Sequence, residues 1–347
     1  MIAKAFKDKE LFPSMADWNK AAFFSVDEKE EERAKKELPG AYVSREKLDE
    51  YNGEGGYDFE VLCVGYSSKA GKEELSKFSS LRAIVCISTG YDNVDEEYCK
   101  KNNIAVYNMP YYGTDAVAEF TLLLMMSTMR KLNKVLKDME SSLEIDHDEL
   151  RGRELGRKTV GIIGTGRIGK RVIELLQPFD VNILAYSRTE KEELVREYGV
   201  SYVELDELLS KSDVISIHVP LTNETRHMID ERAVSIMKDG AILVNTSRGA
   251  IVDSEAIAKN IDKLYVALDV IEGEALCMNE LDLLKGKCSV DVIKGAFLEK
   301  ILIKHDNAII TPHVAYDTEE ALERRMENVI KTVSFILDGR ECDNRVY

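Results

Sequence analysis

The chain has 347 residues, 44% of them hydrophobic, enough for two ordinary domains each with its own core. Its formal net charge of −16 is spread along the whole length rather than gathered in a tail. That field repels polyphosphate backbones and anionic lipid, so it argues against nucleic acid and membrane surface as partners and requires an anionic substrate to meet a locally placed cation. The six cysteines are Cys63, Cys86, Cys99, Cys277, Cys288 and Cys342, with no Cys-x-x-Cys pair among them. Cys63 and Cys86 sit in apolar, strand-like runs, so reduced buried thiols in the cytoplasm are expected rather than disulfides or zinc ligands. The start, MIAKAFKDKE, lacks the apolar stretch of a signal peptide, and the longest apolar tract, residues 120–129, is too short to span a bilayer.

In chain order, residues 1–19 read as a polar, irregular extension carrying the only tryptophan, Trp18. AAFFSV (21–26) then predicts a strand, followed by the acidic helix DEKEEERAKKEL and by strands at EVLCVG (60–65), AIVCI (83–87) and IAVYN (104–108). Continuous Val/Ile/Ala/Cys runs without alternation are the mark of parallel strands buried on both faces. A long helical stretch from about Asp115 to Met139 leads into a second series. Its strands are TVGIIG (159–164), VNILAY (181–186), VISIHV (214–219), AILVN (241–245), LYVALDV (264–270) and NAIITP (307–312), with helical material between them, as a doubly wound parallel sheet requires. A last amphipathic helix, EEALERRMENVIKTVSFIL, has no strand of its own and is expected to pack back on an earlier domain.

GTGRIG (164–169) follows one of these strands and opens the helix KRVIELLQPF, with another strand ending about twenty residues on. That context turns a weak G-x-G-x-x-G match into a dinucleotide fingerprint. Gly164 permits the tight turn, Gly166 lets the backbone approach a pyrophosphate, Gly169 lets helix and strand pack closely, and the helix N-terminus meets the phosphates. An acid after the second strand would select NAD, but Ser187-Arg188-Thr189 stands there instead. A hydroxyl and a guanidinium fork suit a 2′-phosphate, so the loop predicts a preference for NADP. Arg188 as a solvated loop residue, with both cofactors accepted, is the other reading.

Three strand ends carry unusual polar residues: Asn245-Thr246-Ser247-Arg248-Gly249, Asp269-Val270-Ile271-Glu272-Gly273-Glu274, and Thr311-Pro312-His313-Val314-Ala315. In an open parallel sheet the carboxyl ends of the strands are where ligands bind. An arginine, an acid and a histidine delivered there are what reduction of a 2-oxo acid needs. The arginine binds the carboxylate and polarises the carbonyl, the histidine donates the proton, and the acid holds the histidine in its charged form.

From about Ala21 onward the chain resembles the D-isomer-specific 2-hydroxyacid dehydrogenases. The resemblance rests on STGYDNVD (88–95), AVAEFTLLLMM (116–126), ELGRKTVGIIGTGRIGK (154–170), HVPLTNETRHMID (218–230), MKDGAILVNTSRGAIVD (237–253), ALDVIEGE (267–274) and TPHVAY (311–316). It implies Arg248 as substrate anchor, His313 as acid/base and Glu274 as its partner. Glu274 is taken over Glu272 because the family's acid lies five residues after the strand-end aspartate, here Asp269, which would face the nicotinamide. It implies further cofactor contacts at Arg167, Ile168, His218, Val219, Pro220, Thr225, Thr246 and Ser247, and substrate contacts at the backbone of Thr89 and Gly90. The implied fold is α/β, with two doubly wound parallel-sheet domains around a cleft. A flavodoxin-like substrate domain would span 1–112 and 318–347, and a Rossmann nucleotide domain 113–317. Homodimers joined through the nucleotide domain are implied as well.

Two features depart from the compact members of that family: the missing acid at Ser187, and the long stretch between Glu274 and His313, which resembles the D-lactate dehydrogenase branch. That branch also offers a substrate-side tyrosine at the position of Tyr112. An aromatic covering the domain hinge explains Tyr112 equally well. A glyoxylate or hydroxypyruvate reductase suits the same motifs, and a non-catalytic dinucleotide-sensing regulator is the alternative from another class. An L-specific lactate or malate dehydrogenase is disfavoured, because its glycine fingerprint comes near the N-terminus rather than after a complete α/β series.

Overall fold

The computed structural model describes residues 17–141, 146–272 and 290–347. The chain divides into two compact units, Met1–Gly113 with Thr318–Tyr347, and Thr114–Asp317.

In the first unit, β1 (Ala21–Phe24), β2 (Tyr42–Val43), β3 (Val61–Val64), β4 (Ala83–Cys86) and β5 (Ala105–Tyr107) form a parallel sheet in the order β2-β1-β3-β4-β5. This is the flavodoxin-like order, with the chain reversing between β1 and β3. Every residue of β1, β3 and β4 is buried, which is why these segments carry continuous apolar runs. The helices are α1 (Glu28–Glu37), α2 (Lys72–Leu75), α3 (Glu96–Lys101) and the C-terminal α12 (Glu319–Leu337). Helix α1 opens on a reciprocal capping box: Glu30 N donates to Asp27 Oδ1 at 2.8 Å and Asp27 N to Glu30 Oε2 at 3.1 Å. Helix α12 packs on β3 and β4, and its Arg325 reaches Glu30, Nη2 to Oε1 2.6 Å, in a nearly buried pair. The last helix thus returns to the first unit. Trp18 is no part of a loose extension: it sits in a short 3₁₀ turn, 9% exposed, directly ahead of β1. Residues 1–16 lie outside the described residues.

In the second unit, β6 (Thr159–Ile163), β7 (Asn182–Tyr186), β8 (Ser201–Tyr202), β9 (Val214–Ile217), β10 (Ile242–Asn245), β11 (Tyr265–Leu268) and β12 (Ala308–Ile310) form a parallel sheet in the order β12-β11-β10-β9-β6-β7-β8. The helices here are α4 (Thr114–Met129), α5 (Leu132–Ser141), α6 (Arg167–Leu176), α7 (Glu192–Tyr198), α8 (Leu205–Lys211), α9 (Glu231–Ile236), α10 (Ser254–Lys259) and α11 (Val290–Lys304). Successive strand residues feed opposite faces: Leu243 joins one apolar cluster, while Ile242 and Val244 join the other. The strand order reverses between β6 and β9, which puts a crevice at their carboxyl ends.

The two-residue strands β2 and β8 were not anticipated; neither is long enough to show a periodic pattern. The helical stretch expected from about Asp115 to Met139 is two helices. Thr128 Oγ1 donates back to Leu124 O at 2.7 Å, and Lys131 adopts a left-handed φ of +50°, so the helix ends and restarts at Leu132. Cys63, Cys86 and Cys99 are buried free thiols, and burial pushes the Cys86 thiol up to about 12 and the Cys99 thiol to about 11. Cys277 and Cys288 lie outside the described residues.

Candidate active site

The glycine turn follows β6 and opens α6 at the reversal point. Gly164 has φ +96°, and a Cβ there would stand 2.8 Å from the backbone of His218, which follows β9. A Cβ on Gly169 would meet Gly164 O at 2.0 Å, so only glycine lets α6 start this close to β6. Gly166 caps α6 without a side chain, and a Cβ there would meet nothing within 4 Å. Its glycine is therefore not demanded by any described protein neighbour, and the helix N-terminus opens toward free space. Arg167 is exposed and Ile168 half-buried at the helix start. On the opposite side, His218 Nε2 is 2.9 Å from Ser216 Oγ, and its buried Nδ1 has no hydrogen-bond partner among the described residues. Burial pushes this imidazole down to about 3, so it stays neutral. An open helix N-terminus at Gly166, on a turn so tight that Gly164 and Gly169 admit no Cβ, fits a pyrophosphate-bearing dinucleotide.

The neighbouring loops are built from local hydrogen bonds. Thr225 Oγ1 donates to Pro220 O at 2.6 Å and accepts from Thr222 N at 2.8 Å, closing the turn after Val219. Ser187 is half-buried and Arg188 exposed beyond β7. Glu224 is held below the usual carboxylate range by hydrogen bonds from Thr222 and from its own N–H, with the nearby Arg188 charge adding to the effect.

Arg248 follows β10. Asn245, fully buried, shapes its turn by accepting from Ser247 N at 3.0 Å and donating to Arg248 O at 2.9 Å. The Ser247 hydroxyl ties this turn to Ile217 O at 2.7 Å, and the Thr246 hydroxyl meets Thr121 of α4 at 3.0 Å. The guanidinium of Arg248 bonds Ser247 O at 2.8 Å through Nη1. Asp269 follows β11 and is 1% exposed. Its Oδ1 accepts from Thr311 Oγ1 at 2.6 Å and Val314 N at 2.9 Å, and its Oδ2 from Ala315 N at 2.9 Å. These bonds grip the loop of His313 on both sides. His313 has φ +54°, and its N–H donates to Asp269 O at 2.8 Å. A left-handed histidine persists because its surroundings over-determine it. Glu272 Oε1 is 2.7 Å from His227 Nε2 and 3.8 Å from Arg226 Nη1. Glu274 lies outside the described residues.

In the first unit, the loop after β4 presents Thr89 and Gly90. Thr89 Oγ1 donates to Met109 O at 2.7 Å, Asn108 Nδ2 donates to Thr89 O at 2.7 Å, and Ser88 Oγ donates to Gly90 O at 2.6 Å. The loop is thus fixed through its carbonyls, while among the described residues no acceptor meets the Thr89 or Gly90 N–H. Tyr112 is 5% exposed, its ring 5.6 Å from the Arg325 guanidinium, and its carbonyl accepts from Arg324 Nη2 at 2.9 Å.

Sequence reasoning gave Asn245 and His227 no role. The signal for Asn245 was its own residue type, since asparagine bonds its backbone two residues on and so makes a turn. His227 offered no signal, because its partner Glu272 is 45 positions away.

The sequence profile of the D-isomer specific 2-hydroxyacid dehydrogenase NAD binding domain matches residues 122–315. The D-specific alpha-keto acid dehydrogenase of Enterococcus faecium is 35% identical over 297 residues, covering 84% of this chain and 87% of its own. The glyoxylate reductase of Thermococcus litoralis is 34% identical over 304 residues, covering 83% and 84%. Among solved structures, D-lactate dehydrogenase from Aquifex aeolicus, complexed with NAD and lactic acid, superposes with a TM-score of 0.85 at 35% identity, covering 94% of this chain and 98% of that one. Glycine turn, strand-end arginine and histidine loop therefore stand in a chain that belongs to the D-isomer-specific 2-hydroxyacid dehydrogenase family.

Proposed function

We infer that the protein transfers a hydride between a nicotinamide dinucleotide and C2 of a small D-2-hydroxy or 2-oxo acid, with Arg248, His313 and Glu274 as its catalytic residues. The observation that carries this reading is the grip of Asp269, at the end of β11, on the loop that holds His313. When bound, the dinucleotide supplies or takes up the hydride. Arg248 binds the substrate carboxylate and polarises the carbonyl through its planar fork, and His313 delivers the proton to the carbonyl oxygen. Glu274 is assigned as the acid that partners this histidine; the engagement of Glu272 with His227 supports this choice of acid. The Thr89 and Gly90 N–H groups are assigned to the substrate carboxylate. Residues 1–112 with 318–347 serve as substrate domain and 113–317 as nucleotide domain.

The test is an absorbance assay at the nicotinamide band, with pyruvate, glyoxylate, hydroxypyruvate, phenylpyruvate and 2-oxoisocaproate each offered to NADH and NADPH. Turnover of a short-chain acid to its D-hydroxy product is expected, and Arg248→Lys should lower kcat/KM by roughly 10–100-fold, the worth of a charge-assisted bidentate contact. Dinucleotide binding with no turnover of any acid would leave the regulatory reading instead.

The cofactor preferred is NADP, supported by Ser187 and by the exposed Arg188 after β7. Ser187→Asp with Arg188→Ala should reverse the NADPH/NADH efficiency ratio. An unmodified protein that favours NADH removes this assignment.

The quaternary state proposed is a homodimer, joined through the exposed apolar residues Leu123 and Met126 of α4 and Leu132, Leu136 and Met139 of α5. The compartment proposed is the cytoplasm, on the reduced buried thiols of β3 and β4.

A further inference from the structure

We propose that His227 and Glu272 are a positioning pair that staples the Arg248 turn in place from both sides. This deepens the functional reading above and rests on its assignment of Arg248 and His313.

The β10 loop lies between two others. On one side the segment after β9 zips onto it: His227 N donates to Ala250 O at 2.9 Å, Ile229 N to Ile251 O at 3.1 Å, and Asp253 N to Ile229 O at 3.0 Å. On the other side the β11 loop presses so closely that a Cβ on Gly249 would stand 2.2 Å from Ile271 C and O and 2.5 Å from Glu272 N. The 2.7 Å contact of His227 Nε2 with Glu272 Oε1 joins the two outer loops directly, past the residue next to Arg248. Arg226 Nη1, 3.8 Å from the same oxygen, adds a guanidinium to the contact.

Two facts separate this pair from an ordinary surface contact. His227 holds a left-handed φ of +51°, a conformation that a β-carbon disfavours and that persists only where the surroundings impose it. The β11 loop is also fixed at its other end, where Asp269 binds the loop of His313. The segment from Asp269 to Glu272 is therefore a crosspiece, tied to the proton donor's loop at one end and to the arginine's neighbours at the other. Release of the Glu272 end frees the arginine turn relative to the histidine loop. Misplacement of a reacting group by about 1 Å costs on the order of 10²-fold in rate, so a partial release should cost less than that.

The experiment is a double-mutant cycle in the full-length protein. His227→Ala and Glu272→Ala are each expected to lower kcat for 2-oxo acid reduction by about tenfold. The double variant should be no worse than either single one, because the two act as a unit. Dinucleotide affinity and the thermal midpoint should stay close to wild type, which separates positioning from folding. Glu272→Gln keeps an acceptor for His227 and should restore most of the lost rate with an unshifted pH profile. Unchanged kcat in both alanine variants, or losses that multiply in the double one, overturns the proposal and leaves the oxidoreductase reading standing. A Glu272→Gln profile whose limbs move with pH also overturns it, and shows that Glu272 rather than Glu274 is the acid beside His313.

Discussion

On the proposed mechanism, His313→Ala should lower the rate of 2-oxo acid reduction by about 10²–10⁴-fold, the usual contribution of a positioned general acid, with dinucleotide affinity unchanged. The loop survives the change because its anchors are not on the imidazole: Asp269 holds it through Thr311 Oγ1, Val314 N and Ala315 N, and the His313 N–H bonds Asp269 O. Because φ at this position is +54°, His313→Asn is the better-tolerated companion, since asparagine accepts the left-handed region more readily than alanine. Both variants lose the proton donor, so both should fall by a similar factor. Initial rates of NAD(P)H oxidation, with cofactor binding followed by nucleotide fluorescence, check this. Turnover near wild type in either folded variant removes His313 from the mechanism.

Much of this was legible in the sequence for identifiable reasons. Ten strands leave apolar runs long enough to read directly, most plainly the wholly buried β1, β3, β4, β9 and β10, whereas Tyr42–Val43 and Ser201–Tyr202 are too short to leave a pattern. The glycine turn was legible because its steric demands admit one residue type: Gly164 and Gly169 stand where any Cβ collides with backbone. The break between α4 and α5 was not, because it depends on the φ of Lys131, a residue that ordinarily continues a helix. Arg248, Asp269 and His313 stand out in the sequence as isolated polar residues at strand ends. Their local support is less legible, since the Asp269 carboxylate binds a loop 42 to 46 positions later. Pairings of that kind depend on which strands are neighbours, and the β12-β11-β10-β9 order supplies what no local window contains.

Asp269→Ala should be the most damaging single substitution in the second unit's loops, costing several kcal/mol of stability along with most of the activity. The carboxylate is 1% exposed and answers three donors, two of them backbone N–H groups that cannot turn elsewhere. Each buried donor left without an acceptor costs about 1–3 kcal/mol, so the loop either pays that or moves, and movement carries His313 with it. Asp269→Asn is the sharper test. Its single carbonyl oxygen can occupy the Oδ1 place, keeping Thr311 and Val314, and then its amide N–H₂ confronts the Ala315 N–H. Flipped, it keeps Ala315 and confronts Val314, while the Thr311 hydroxyl can rotate to accept. Either way one buried backbone N–H faces a donor. The asparagine variant should therefore lose about 1–3 kcal/mol, which in a domain of this size lowers the thermal midpoint by roughly 2–4 °C per kcal/mol. Its kcat should fall at least tenfold even at temperatures where it is fully folded, because the donor loop has lost one of its grips. A calorimetric midpoint equal to wild type, together with unchanged kcat, would show that the 311–315 loop holds His313 without Asp269, and the crosspiece from Asp269 to Glu272 would then lose one of its two ends.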